Sequence, residues 1–270
     1  MSKINRRIDD VLEDLCEFAG ATAEVDKGIK LLSYTSWFLS RFLPSVIRTS
    51  DKTKRERIHK ICVGLRKVYT ELFMARYAPR LFGIPLCIEG IRNGSWASPE
   101  YKDKRIHQLG NFMAWSMLFY YPLEHVAYAR WVAPELIDAD AEKFSAYSCR
   151  AWALYVVADI VSSFLKIREL CKRDEDIRKQ LASLKISEEY SKSDGKVQMK
   201  EWENELEQLE RKKYLQRLQL WRNAFYFLPL VNWSLPNWET DPWLPENLRN
   251  GLMLAESIIC IWQSIYSYWY

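Results

Sequence analysis

The sequence predicts an all-α fold, a bundle of long antiparallel helices, on three observations. Glycine is scarce, 9 in 270 residues, while 49% of residues are apolar; sandwiches, propellers and glycine-rich nucleotide folds need more turns than that. Apolar residues recur at three- and four-residue steps over several long stretches. Between them lies a run of mixed charge, Lys166 to Arg217, with 14 basic and 12 acidic residues, which fits solvated helices. One domain spanning 1–270 is expected, with 166–217 inserted in it as a charged helical hairpin turning at SKSDGK.

Taken in order, Ile4, Ile8, Val11, Leu12, Leu15 and Phe18 line one face of a first helix that ends near Gly20. A second helix, EVDKGIKLLSYTSWFLSRFL, stops at Pro44. The third carries the most information. At 100° per residue, Ile58, Ile61, Cys62, Leu65, Val68, Tyr69, Leu72 and Phe73 share an arc of roughly 140°. Lys60, Lys67 and Thr70 fall opposite, and Arg57, His59 and Arg66 lie at the margins. This is a basic amphipathic helix, closed by Pro79.

Further on, LFGIPLCIEGI reads as a short apolar stretch broken by Gly83 and Pro85, followed by a turn-rich connection from Asn93 to Asp103. Three later segments are apolar enough to raise the question of a bilayer crossing, and each carries charge. Glu124, His125 and Arg130 lie in the first, which Pro122 interrupts; Asp159 lies in the second; Glu256 lies in the third, GLMLAESIICIWQSIYSYWY. The third has the best length and an aromatic end, and ranks first as a spanning or re-entrant element. LPLVNWSLPNWETDPWLPEN reads as a loop, with Trp233, Trp238 and Trp243 pinned on the domain or at a membrane interface.

Charge and motif content exclude several function classes. The net charge is +4, yet Asp51 to Arg80 alone carries nine Lys and Arg against three acids, so the rest sums to about −2. One basic segment suits an anionic membrane surface or an acidic partner, and no nucleic acid is expected. Cys16, Cys62, Cys87, Cys149, Cys171 and Cys260 form no CxxC pair, and histidines do not cluster, so no metal site or cofactor is expected. Glu124 beside His125 could suggest an acid/base pair, but no nucleophile, metal spacing or phosphate loop accompanies it. The chain reads as a nonenzyme with neither a signal peptide nor a C-terminal import tripeptide.

Three pieces carry a family resemblance. DKGIKLLSY supplies Asp26, Lys27, Lys30, Leu31, Leu32 and Tyr34; LRKVYTELFMARYAPRLFG supplies Arg66, Lys67, Arg80, Leu81 and Gly83; YYPLEHVAY, Tyr120 to Tyr128, precedes a helix containing Trp152. In this order they resemble the peroxin-eleven family. The resemblance implies a membrane-associated helical bundle at the peroxisomal or glycosomal membrane. It implies elongation and proliferation of the organelle through a membrane-inserting helix and self-association, ahead of the organelle division machinery. Under that reading Arg57, Ile58, Lys60, Ile61, Leu65, Arg66, Lys67, Val68, Tyr69, Leu72 and Phe73 meet lipid and its anionic headgroups. A metabolite channel built by oligomers, or a helical adaptor without lipid contact, stand as alternatives.

Overall fold

The computed structural model describes residues 22–47, 50–186 and 193–269, and every regular element among them is helical. The helix expected over Ile4 to Phe18 lies outside the described residues. The helices are α1 (Thr22–Val46), α2 (Lys52–Ala75), the single turn α3 (Tyr77–Arg80), α4 (Gly83–Asn93), α5 (Lys104–Val132), α6 (Ala141–Ile186), α7 (Ser193–Ser234) and α8 (Glu246–Trp269). Local chemistry explains several ends. The Asp51 side chain accepts hydrogen bonds from the amides of Thr53 and Lys54 at the start of α2, and Asp103 caps α5 through Arg105. Gly94 closes α4 in the left-handed conformation.

Prolines break fewer helices than the sequence suggests. Pro85 sits in the first turn of α4, where its missing amide would have had no helical partner. Pro44, Pro122 and Pro229 lie inside α1, α5 and α7, so α5 is continuous and LPLVNWS is helix, leaving the loop to begin at Leu235. An interior proline costs about 3 kcal/mol. Around Pro122 and Pro229 the burial of Tyr120, Tyr226 and Leu230 outweighs that cost. At Pro79 the rule holds with an offset: the ring conflicts with the carbonyl four residues earlier, and α2 ends at that residue, Ala75.

Packing follows the order α5, α6, α7, α8, α1, α2, each helix against the next, while α3 and α4 lead the chain back from α2 onto α5. There the Tyr77 ring stacks on Tyr128 at 5.3 Å. The main core joins Tyr34 of α1, Cys149 and Val156 of α6, Tyr226 and Leu230 of α7 and Met253 of α8. A second cluster of Tyr101, Ile106, Leu170, Ile177 and Leu209 holds the charged ends of α6 and α7 together. Outside that cluster the hairpin is laced by ion pairs such as Arg173 with Glu205, where Nε donates over 2.8 Å. Exposed pairs of this kind contribute about 1 kcal/mol or less, so Leu170, Ile177 and Leu209 set the register. Part of the expected SKSDGK turn is helical, since α7 begins at Ser193.

The final segment, α8, packs between α7 and α1 with Asn250, Met253, Glu256, Ser257 and Cys260 buried. Among the described residues, the stretch whose length and hydropathy suffice to cross a bilayer lies in α6 instead, within Ala141–Leu184, and only a third of it is buried.

Two glycines should respond oppositely to alanine. At Gly110 a Cβ would lie 2.0 Å from the Trp96 carbonyl oxygen, so the backbone must move. At Gly64, in α2, nothing lies within 4 Å. Gly110→Ala is expected to destabilise by about 1–3 kcal/mol, and Gly64→Ala to stabilise by about 0.5–1 kcal/mol. Denaturant unfolding measures both, and shifts of equal sign would contradict this packing.

Candidate functional site

The basic amphipathic helix is α2, and it sits at the edge of the bundle. Among the long helices it packs chiefly on α1, reaching α8 through Arg66 and the edge of the main core through Tyr69, and none of its residues is buried. Ile58, Cys62, Leu65, Tyr69, Leu72 and Phe73 are half-buried, while Ile61 and Val68 are about 45% exposed. The apolar arc is therefore divided. One side lies on α1, and a strip through Ile61 and Val68 faces outward on the side of exposed Arg57, Lys60 and Lys67, with Arg66 on the opposite margin.

The α1–α2 pair also extends past the rest of the bundle. Ser33 Oγ donates to the Tyr69 carbonyl, which fixes the register of the antiparallel pair. Trp37 Nε1 donates to Glu246, the first residue of α8, and Arg66 pairs with the same carboxylate at 2.9 Å. Beyond Trp37 no described residue of α1 is buried, and Phe38, Leu39, Phe42 and Val46 are exposed. Phe38 and Phe42 pack ring against ring at 4.4 Å on this projection.

Where the pair enters the bundle, the motif residues from the first half of the chain converge. Asp26 accepts two bonds from Arg76, at 2.8 and 3.1 Å, and one from Arg80 at 3.5 Å. Arg80 continues to Glu124 at 2.7 Å and Tyr120 at 3.2 Å. Lys30 pairs with buried Glu256, which Arg222 also meets at 3.3 Å. Lys27 donates to Ser264 of α8 and pairs with Glu24. Tyr34 is buried in the core, Leu31 is half-buried and Leu32 is exposed. Gly83 lies under the Tyr121 ring, where a Cβ would come within 2.2 Å of a ring carbon.

Burial pushes the Asp26 carboxyl up, but Arg80 and then Arg76 pull harder and hold it well below the ordinary carboxylate range. Glu256 is likewise held low, with Lys30 and Arg222 overcoming burial. Burial pushes the Lys30 ammonium down, opposed by Glu256.

Beside this network lies an open cleft of about 520 Å³ between α5, α6, α7 and α8. Tyr121, Trp152, Tyr155, Asp159, Gln219 and Arg222 are among its walls. Asp159 accepts from Gln219 at 2.6 Å and Asn223 at 2.7 Å, so the acids inside the apolar segments are all paired. Arg76, Glu124, Arg222 and Glu256 form half of the network, yet the sequence reading of the site omits them. The signal available was their position: charges inside otherwise apolar helical periods.

The folded-state depression of Asp26 and Glu256 gives stability a pH dependence. The unfolded chain takes up these protons first, so the stabilisation is complete above the unfolded carboxylate value of about 4 and is lost as pH falls further. Asp26→Asn should cost on the order of 2–4 kcal/mol at neutral pH, because buried Arg76 and half-buried Arg80 lose their shared carboxylate, and should flatten the acid limb. Urea unfolding from neutral pH into acid reads both; an Asp26→Asn variant as stable and as acid-sensitive as the wild type would contradict it.

Comparison with known proteins gives one result. No curated protein and no solved structure matches. The family model of peroxisomal biogenesis factor 11 matches residues 12–244, which takes in α1 to α7 and every member of the ion network except Glu256. Proteins of that family are non-enzymatic factors of peroxisome biogenesis and proliferation at the peroxisomal membrane. By that match over most of its length, the chain belongs to the peroxisomal biogenesis factor 11 (PEX11) family.

Proposed function

We propose that this chain elongates the peroxisomal membrane by docking the α1–α2 projection on it and seating the outer strip of α2 at the headgroup and acyl boundary. The observation that carries the reading is the exposure of Ile61 and Val68 among cations, on a helix with no buried residue. A helix packed for stability alone would bury its apolar arc; this one covers half of it. Insertion to roughly 5–10 Å expands one leaflet and favours curvature, and each cation near an anionic surface adds about 1 kcal/mol. Self-association of docked copies would then extend the curved area, and the organelle division machinery would act on it.

A second reading, a solute channel, draws on the open cleft with its paired interior charges. Conductance of proteoliposomes holding the purified protein separates it from remodelling without conductance.

Geometry also sharpens the mutational test. Leu65 and Leu72 lean on α1, so glutamate there harms packing and docking together. Lys60 and Lys67 are exposed, and replacing both with Glu should change stability by no more than about 0.5 kcal/mol. We expect the folded Lys60→Glu/Lys67→Glu protein to reach the organelle and fail to elongate it. Normal elongation at matched expression, scored by fluorescence microscopy, would sink electrostatic docking through α2.

A further inference from the structure

The cleft fixes which way three consecutive helices face. Met117 and Tyr121 of α5, Tyr155 and Asp159 of α6, and Gln219 and Asn223 of α7 line it. A residue two positions along is rotated by about 200°, so it points to the opposite side of the layer. On that side stand Phe112 and Trp115, Val157 and Phe164, and Trp221, each about half exposed, with Leu154 among them. Single exposed apolar residues are ordinary, but a continuous set across three neighbouring helices marks an interaction surface.

Along the apolar reach of this side exposed charge is of one sign, and acids such as Glu100, Asp103 and Glu169 gather only past its end, beside Arg105 and Arg168. Across Lys104–Val132, Lys143–Arg168 and Arg217–Leu235, the exposed charged residues are Lys104, Arg105, Lys143, Arg150, Arg168 and Arg217. Arg105 is paired with Asp103, just ahead of the first span. The acids within the spans are Glu124 and Asp159, both buried and turned inward. Along α6 the apolar strip runs between Arg150 and Arg168, about 27 Å apart at 1.5 Å per residue.

We infer that the outer face of α5, α6 and α7 is a second lipid-contact surface, lying flat on an anionic leaflet with its apolar centre in the acyl boundary and its cations among the headgroups. It rests on the same lipid-contact reading as above but uses a face on which α2 has no residue. Charge complementarity selects the occupant: a second copy docked by two-fold symmetry would oppose cations with cations, whereas anionic headgroups neutralise them. The face lies on the bilayer without crossing it, because the reverse of the layer carries the charged cleft of Lys30, Asp159, Arg222 and Glu256. Arg150, whose guanidinium donates to the Ser234 carbonyl and stacks on Tyr147, sits where a long side chain reaches up to the headgroups.

The test is flotation of the full-length protein with phosphatidylcholine vesicles, with and without phosphatidylserine. One variant carries Trp115→Ser, Val157→Ser and Phe164→Ser; another carries Lys143→Glu, Arg168→Glu and Arg217→Glu; a third carries the two α2 charge reversals. Each lysine or arginine beside an anionic surface contributes about fivefold, so loss of three attractions alone lowers partitioning roughly a hundredfold, and the triple charge reversal should lower it by at least that much. The apolar triple should lower it on vesicles of either kind, and wild-type binding should weaken with salt. Should the apolar triple lose its circular-dichroism spectrum, the charge triple decides, since its side chains are exposed. Face-dependent binding that persists in the α2 variant supports the surface whatever becomes of α2. Unchanged partitioning of the charge triple overturns it, as does a wild-type dimer that the apolar triple makes monomeric, by sedimentation equilibrium, without loss of vesicle binding.

Discussion

Asp26 ties the N-terminal pair of helices to the rest of the bundle, and most of the interior charge is organised around that tie. Arg76 holds the carboxylate by two parallel bonds just after α2 ends, and Arg80 relays the contact to Glu124 and Tyr120 on α5. Without the acid, two guanidiniums at the junction of α1, α3 and α5 would face one carboxylate in a low-dielectric space. Lys30, one turn further along α1, makes the corresponding link to α8 and α7 through Glu256 and Arg222. Ion pairs of this kind are a weak source of net stability, but they fix which helices meet and at what height.

The α5–α6–α7 layer turns its acids toward the bundle interior, beside the apolar core of Cys149, Val156, Tyr226 and Leu230, and leaves large apolar residues uncovered outside, an inversion of where a soluble protein puts its carboxylates. That inversion accounts for the acids inside apolar segments. Asp159 and Glu124 occur at the helical positions that turn inward, and aromatic and β-branched residues occupy the outward ones. Buried carboxylates with two or more donors each are inexpensive only when the donors are fixed, as Gln219 and Asn223 are for Asp159. A family acting on a bilayer has a use for a layer whose charges are held inward.

Helical periodicity made the fold class, the basic amphipathic helix and the charged hairpin legible from sequence, because a 3.6-residue period survives whatever packs on it. Helix ends were less so. Pro44 reads as a stop, Pro122 as an interruption and the stretch around Pro229 as a loop, yet in α5 and α7 the tertiary burial on either side offsets the lost hydrogen bond, a term no single segment displays. The division of the α2 arc was also hidden: Ile61 and Leu65 look equivalent on a helical wheel, and only the position of α1 separates them. Likewise Asp26, Lys30 and Arg80 stood out as motif residues, whereas their partners Glu124, Arg222 and Glu256 come from distant helices that the sequence does not bring together.

The projecting pair of helices has a mechanical property that follows from two residues on its facing members. Pro44 leaves the Ser40 carbonyl of α1 without its helical donor, since proline has no amide hydrogen. By the register set at Ser33 and Tyr69, Ser40 stands opposite residues near Cys62, within one turn of Gly64, the glycine of α2 around which there is open space. Both members of the pair thus have their least stiff point at nearly the same height, just past Trp37, where contact with α8 ends. A beam weakened on both sides at its point of emergence bends there as a flexure. Under the proposed docking, the tip would follow a surface of changing curvature while Asp26, about four turns along α1 from Ser40, stays anchored.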